Sequence, residues 1–226
     1  MISVLTLTYK RHHLLEEAIQ SFLIQNPEIE CEMVVINDNP EVDYIYNHDR
    51  VRIINHKQRF ASISDKLEWG YKQCKYDYIY RLDDDDLLCP WSLENVRKDI
   101  LENPGYDVYR SKGMHFFSDN VYTGEGGSIN NGNVYAKAYL DRITFPGSSC
   151  DEDSHLTFGN NSKIYTSELK HTMIYRWGMG TFHISGMGNQ TNETILNHAD
   201  LVLDNTPGQI ELHPHFDNED YYSQIQ

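Results

Sequence analysis

Four consecutive carboxylates, Asp83, Asp84, Asp85 and Asp86, follow directly on the largely apolar run Tyr78-Ile79-Tyr80-Arg81-Leu82. Adjacent carboxylates at the end of a buried strand raise one another's pKa unless a cation neutralises them. Where such a segment is extended, alternate residues face the same way, so Asp83 and Asp85 can share one side. Hard oxygen donors of this kind suit Mg2+ or Mn2+. The ion would bridge a diphosphate and stabilise the charge on a departing phosphate. A run of acids also serves as a solvated turn; the apolar strand leading into it argues against that use here.

Elements that would hold these acids can be read around them. Residues 2–8 are a β-rich apolar run, and residues 14–25 place Leu14, Leu15, Ala18, Ile19, Phe22 and Leu23 on one helical face. Residues 33–36, 51–54 and 76–82 read as further strands, the first of them stopped by Asn37-Asp38-Asn39-Pro40. Helices are expected over 62–74, capped by Ser62 or Ser64, and over 90–102, with Pro90 near the first turn. Alternating strands and helices predict an α/β fold with a mostly parallel sheet and helices on both faces. Ligands of such sheets sit at the carboxyl ends of the strands. Thr8-Tyr9, Asn37-Asp38 and the acids 83–86 all lie just past strand ends, so three strands deliver polar groups to one edge.

The pattern loosens from about residue 107, where Tyr- and Gly-rich stretches begin, and residues 124–132, GEGGSINNG, read as a loop. Residues 107–190 are read as a second half built onto the same sheet, and 191–226 as a peripheral extension whose His213-Pro214-His215 and acids leave its order doubtful.

Bulk composition sets limits. The 226 residues carry 19 Lys and Arg against 34 Asp and Glu, a net charge of −15, with 39% hydrophobic residues. That balance fits a folded domain and opposes broad binding to nucleic acid or anionic membrane. Cys31, Cys74, Cys89 and Cys150 form no C-x-x-C pair and read as buried free thiols of a reducing, cytoplasmic protein. The opening MISVLTLTYKR has neither the basic start nor the long apolar run of a signal peptide, and no stretch is apolar enough to span a membrane.

Taken together, three ordered motifs resemble the family 2 glycosyltransferases of the glycosyltransferase-A fold. Residues 3–25, SVLTLTYKRHHLLEEAIQSFLIQ, look like that family's first strand, turn and "Ser-x-x-x-Gln" helix. Residues 34–39, VVINDN, are similar to its second strand and acid pair, and residues 79–93, IYRLDDDDLLCPWSL, to its "Leu-Asp-x-Asp-Asp…Pro…Leu" signature. The resemblance implies a catalytic domain over 1–190, with a nucleotide-sugar-binding half at 1–106 and an acceptor-side half at 107–190. It implies that Leu7, Thr8 and Tyr9 line a nucleoside pocket and that Asp38 accepts from the base, uracil in the common donors. Lys66, Asp83 and Asp84 would lie at the donor, and Asp85, with Asp83, would ligate Mn2+ or Mg2+. It implies a general base in Asp151-Glu152-Asp153, with Asp153 the best match and Glu152 next to it, and a late His near the metal, best matched by His183. The activity implied is metal-dependent, inverting transfer of a hexosyl or pentosyl group from a nucleotide diphosphate sugar to a hydroxyl. A saccharide is the default acceptor; a modified nucleic-acid base sits awkwardly with the charge.

Departures from the family are Lys10 where Asn is usual, Asn37 for the first acid of the pair, and Leu67-Glu68 for Arg-Asn. Plainer uses exist for each residue. Asp38 can cap a turn, Lys66 can be a solvated helix residue, Asp153 can be an N-cap, and a lone His on a strand is more often structural. A nucleotidyltransferase of similar sheet would want a Gly-rich loop after the first strand, and residues 8–14 contain no glycine. A non-catalytic Ca2+ binder of EF-hand type is disfavoured because the loop spacing is absent.

Overall fold

The computed structural model describes residues 1–149, 152–178, 203–218 and 220–225. The first half runs β1 (Ile2–Thr8), α1 (His12–Leu23), β2 (Cys31–Asn37), β3 (Val42–Ile45), β4 (Val51–Asn55), α2 (Ile63–Gln73), β5 (Tyr78–Arg81), β6 (Leu87–Leu88) and α3 (Ser92–Glu102). Then follow β7 (Val108–Ser111), β8 (Gly113–Ser118), β9 (Val121–Gly127), β10 (Val134–Ala136), α4 (Lys137–Leu140), α5 (Glu152–Phe158), β11 (Ile164–Ser167), β12 (Met173–Trp177) and β13 (Gly208–Glu211). Seven strands form the main sheet in the order β11-β7-β10-β5-β1-β2-β4. All its neighbours are parallel except β10, which runs against both β5 and β7.

Both faces of this sheet are buried, which is why β1 and β2 are buried almost without a break and carry apolar residues on both faces instead of alternating apolar with exposed polar ones. Ile2, Val4, Met33 and Val35 pack on one side with Leu15, Ala18, Ile19 and Phe22 of α1 and Leu93 and Val96 of α3. Leu5, Leu7, Val34 and Ile36 pack on the other with Leu67 and Tyr71 of α2, Tyr139 and Leu140 of α4 and Leu156 of α5. Each fully buried aliphatic or Phe side chain contributes roughly 1.5–3 kcal/mol, so the central strands anchor whatever stands at their ends. Ser62, not Ser64, caps α2, accepting from the Asp65 amide at 3.0 Å. The expected α/β fold is therefore present, with its mostly parallel sheet and helices on both faces.

Three features differ from the sequence-based expectation. Residues 124–127 are not loop: they belong to β9, antiparallel to β8 in a second sheet of order β6-β12-β8-β9. Glycine is required there by close approach. A Cβ on Gly113 would lie 2.4 Å from the Gly126 carbonyl oxygen, and Gly124 takes φ +133 beside the register shift at Phe116 and Phe117. Next, β3 escaped the sequence reading; it pairs in parallel with β13, some 160 residues on, and a four-residue strand with so distant a partner has no local signature. Finally, the described part of the tail packs onto the core. Leu212, Tyr221 and Ile225 are buried, and the amides of His213 and Asp217 donate to the buried carboxylates of Glu16 and Glu17 in α1 at 2.6 and 3.0 Å.

Among the described residues no helix is long and apolar enough to cross a membrane. Cys31, Cys74 and Cys89 are buried free thiols, and Cys150 lies outside the described residues.

Candidate active site

The carboxyl ends of β1, β2 and β5 open onto one cavity of about 760 Å³, closed on its far side by residues 129–131, α5 and Tyr175. Leu7, Thr8 and Tyr9 reach it from β1 because the strand ends there and the chain turns sharply at Lys10, whose φ is +56. That left-handed conformation costs a non-Gly residue roughly 1–2 kcal/mol and is easier for Asn, the family's usual residue at this place. Here it is held by the Lys10 carbonyl, which accepts from the Asp204 amide at 2.6 Å, and by Nζ donating to Asn205 at 2.9 Å.

Asp38 stands past β2 and is only 1% exposed. Its Oδ1 accepts from Lys66 Nζ at 2.6 Å and Arg59 Nη1 at 2.5 Å, and its Oδ2 from the Phe60 amide at 3.1 Å. Lys66 also donates to the Thr8 carbonyl at 2.7 Å. Burial pulls its ammonium down to about 8, against the pull of Asp38 in the other direction. Lys66 is thus a buried strut between the ends of β1 and β2, not a solvated helix residue.

The acid run bridges the two sheets. The chain leaves the main sheet at Arg81, turns through residues 82–86, with the Asp86 amide donating to the Asp83 carbonyl at 3.3 Å, and enters the second sheet as β6. Asp83 and Asp85 line the cavity, the alternation expected of them, whereas Asp84 is fully buried behind it on Arg11. Asp84 therefore does not meet the cavity as the sequence reading placed it; it positions Arg11, whose Nη1 also reaches Asp85 Oδ2 at 2.9 Å. Burial raises the Asp84 carboxyl to about 6, the Arg11 charge restraining it.

Asp86 points inward, and its Oδ1 accepts from the Arg176 amide at 3.0 Å. Burial, and then the charges of Asp85 and Asp83, push its pKa well up. One oxygen from each of Asp83, Asp85 and Asp86 lies within 4.8 Å of the others. This all-oxygen set, in which burial and then the neighbouring charges disfavour the ionised form of Asp86 as long as no cation is near, fits a hard divalent cation. Asp86 was not singled out in the sequence because strand alternation alone assigns it to the wrong side; the turn at 84–85 brings it back.

Opposite the acid run, α5 offers Glu152 and Asp153. Arg81, buried at the end of β5, joins the two sides: Nη1 is 2.7 Å from Asp83 Oδ1, Nε 3.0 Å from Asp153 Oδ1, and Nη2 3.6 Å from Glu152 Oε1. Burial raises the Asp153 carboxyl to about 7 although Arg81 draws it down. Three arginines, the largely covered Arg11 and the buried Arg81 and Arg176, thus surround the acids of the site, Arg176 through its amide to Asp86 and its guanidinium to the Asp85 carbonyl, and none of them carries a role in the sequence reading. The available signal was charge balance: four carboxylates at a buried strand end need cationic partners, and Arg81 adjoins them. His183 lies outside the described residues.

The sequence matches Glycosyl transferase family 2 over residues 3–155, more than half of the chain. No curated protein matches it. Among solved structures, S. aureus TarS 1–349 in complex with UDP-GlcNAc is similar with a TM-score of 0.65 at 18% identity, over 88% of this chain and 64% of that one. The UDP complex of the same fragment gives 0.62 at 17%, over 77% and 60%. The mannosyltransferase PcManGT from Pyrobaculum calidifontis, in complex with GDP-Man and Mn2+, gives 0.56 at 15%, over 77% and 56%. The chain thus spans about three fifths of the length of these neighbours. With the family matched through the first strand, the acid run and the start of α5, and the sheet shared with these structures, this chain belongs to glycosyl transferase family 2 and has the glycosyltransferase-A fold.

Proposed function

We infer that the protein transfers a sugar from a nucleotide diphosphate sugar, a UDP-sugar in the first instance, to an acceptor hydroxyl with inversion at the anomeric carbon. The observation that carries this reading is the single cavity that sets Thr8, Tyr9 and Asp38 against Asp83 and Asp85, with Asp153 facing them from α5. The donor side draws on residues 1–106 and the opposite wall mainly on 107–190, with Leu203 of the C-terminal extension at its edge. A saccharide is the favoured acceptor, and the buried free thiols favour a reducing compartment such as the cytoplasm.

Tyr9 offers a ring face to the base, and Asp38 an acceptor for its N–H. Asp83, Asp85 and Asp86 would hold Mn2+ or Mg2+, which supplies neutralisation of the diphosphate charge. Asp153 takes the proton of the attacking hydroxyl. The acceptor oxygen forms its bond to the anomeric carbon as the bond to the diphosphate oxygen breaks on the opposite face. A carboxyl raised to about 7 suits that task, because a general base works best with a pKa near the operating pH. Arg81 aims it by ion pairing, and Glu152 stands beside it on the same guanidinium.

A thermal-shift panel of UDP, GDP, CDP and ADP, each with Mn2+ or EDTA, tests the reading, since a ligand of the native state raises the melting point. UDP with Mn2+ should give the largest rise, the Asp85→Asn variant should lose the Mn2+-dependent part, and Asp220→Asn should keep it. Equal shifts with Mn2+ and EDTA would remove the metal from the donor site. No shift with any nucleotide would remove the donor.

A further inference from the structure

Four cationic side chains line the cavity: Arg11, Arg59, Lys66 and Arg81. Three of them are locked among buried partners, with side chains only 16%, 5% and 4% exposed for Arg11, Lys66 and Arg81. The Arg59 side chain is 50% exposed. It comes from the segment between β4 and α2. Its guanidinium carbon lies 3.7 Å from the centroid of the Tyr9 ring, and its Nη1 donates to Asp38 Oδ1 at 2.5 Å. Arg59 therefore covers a face of Tyr9 and engages Asp38, the two groups assigned above to the nucleobase.

Asp38 is 1% exposed, so an incoming N–H reaches its carboxylate only by taking the place of a present donor. Lys66 is a poor candidate to leave, being buried and bonded to the Thr8 carbonyl as well. The Phe60 amide is fixed in the backbone. Arg59 is the donor with a solvent route out, and its departure leaves Asp38 still paired to Lys66 and Phe60, so no buried charge is orphaned. A planar guanidinium with N–H edges does for Tyr9 and Asp38 what the imide edge and ring of uracil would do.

Once displaced, Arg59 is the cavity's one exposed cation among the described residues, facing a ligand that brings two or more negative charges. Arginine is suited to phosphate by its fork of N–H donors. Resting on the donor reading above, we propose that Arg59 is a donor-binding residue with two positions: it occupies the nucleobase seat on Tyr9 and Asp38, yields that seat to the base, and pairs with the donor diphosphate.

Calorimetry of uridine, UDP, guanosine and GDP in the presence of Mn2+, against the parent, Arg59→Ala and Arg59→Lys, tests this. The position is an exposed loop residue, and a melting curve for each variant confirms the fold. Covering a seat reduces apparent affinity by the fraction of molecules in which it is open, so Arg59→Ala should bind the nucleoside roughly threefold or more tighter. The same variant should lose about tenfold or more of the diphosphate's advantage over its nucleoside, because the pairing charge is gone. Arg59→Lys should keep most of that advantage. Weaker nucleoside binding by Arg59→Ala would make the guanidinium a platform under the base and overturn the proposal. An unchanged ratio of diphosphate to nucleoside affinity would overturn it too, while leaving the donor reading standing. Absence of binding by the parent and both variants would sink the donor reading and this proposal together.

Discussion

At the scale of single residues, the site is a problem in balancing charge. Asp83, Asp84, Asp85, Asp86, Glu152 and Asp153 crowd around Arg11, Arg81 and Arg176, so negative charge is in excess and burial raises several of the acids. For Asp153 this gives a direct expectation. A base must be deprotonated to act, so turnover should rise as pH climbs through about 7 and level off above it. The Asp153→Asn variant should lose that limb and fall by roughly 10²–10⁴-fold in turnover, the range for a lost general base. UDP affinity should stay close to that of the parent, because the amide is nearly isosteric and the donor acids are untouched. Transfer to acceptor, or slow donor hydrolysis where no acceptor is known, provides the rate; near-parental turnover would reduce Asp153 to a first-turn acid of α5 that favours the helix N-terminus.

The elements explain how acids so far apart in sequence come to face one cavity. Residues 82–86 are the crossing from the main sheet to the second sheet, and both ends of that crossing are fixed by pairing: β5 against β1 and β10, β6 against β12. The second sheet is therefore part of the site's support. A tight point with backbone on the other side is Gly113 on β8, where a methyl group would meet the Gly126 carbonyl oxygen at 2.4 Å and the His171 ring at 2.8 Å. Neither backbone nor the packed ring gives way easily. Gly113→Ala should cost about 1–3 kcal/mol, the usual penalty for overpacking, and urea denaturation would show it as a lower midpoint. An unchanged midpoint would mean that β8 and β9 separate freely and that the second sheet does not brace the acid run.

For the whole molecule, the same buried network ties the C-terminal part to the first helix. Arg176 of β12 pairs with Glu17 of α1, donates to the Asp85 carbonyl, and meets the Tyr221 hydroxyl of the tail at 3.3 Å. Tyr221 itself donates to Asn120 at 2.7 Å. Removing one partner of a buried ion pair strands the other, so Arg176→Met should destabilise by roughly 3–5 kcal/mol in equilibrium unfolding. Adding Glu17→Gln should recover part of that loss, because the stranded charge is gone. Additive losses in the double variant would show that the two residues do not act as a pair.

The sequence by itself determined the central layer and the identity of the edge that carries the site. β1, β2, β4 and β5 and their helices are legible because their apolar spacing is local, and the polar groups at their ends are adjacent in the chain to the strands that place them. Thr8, Tyr9, Asp38, Asp83 and Asp85 could be named as candidates for that reason, and Asp153 only through the family resemblance; the fold brings all six to one cavity. What only the tertiary structure decided are relations between distant segments. Asp84 turns away onto Arg11, Asp86 turns in, and Arg81 spans Asp83 and Asp153 across some seventy residues. β3 finds β13, and the tail amides settle on Glu16 and Glu17. The physical reason is one of range. Hydrophobic periodicity is written in neighbours three or two residues apart, whereas the partner of a buried charge or of an edge strand is selected by whatever the folded chain brings within about 3 Å of it.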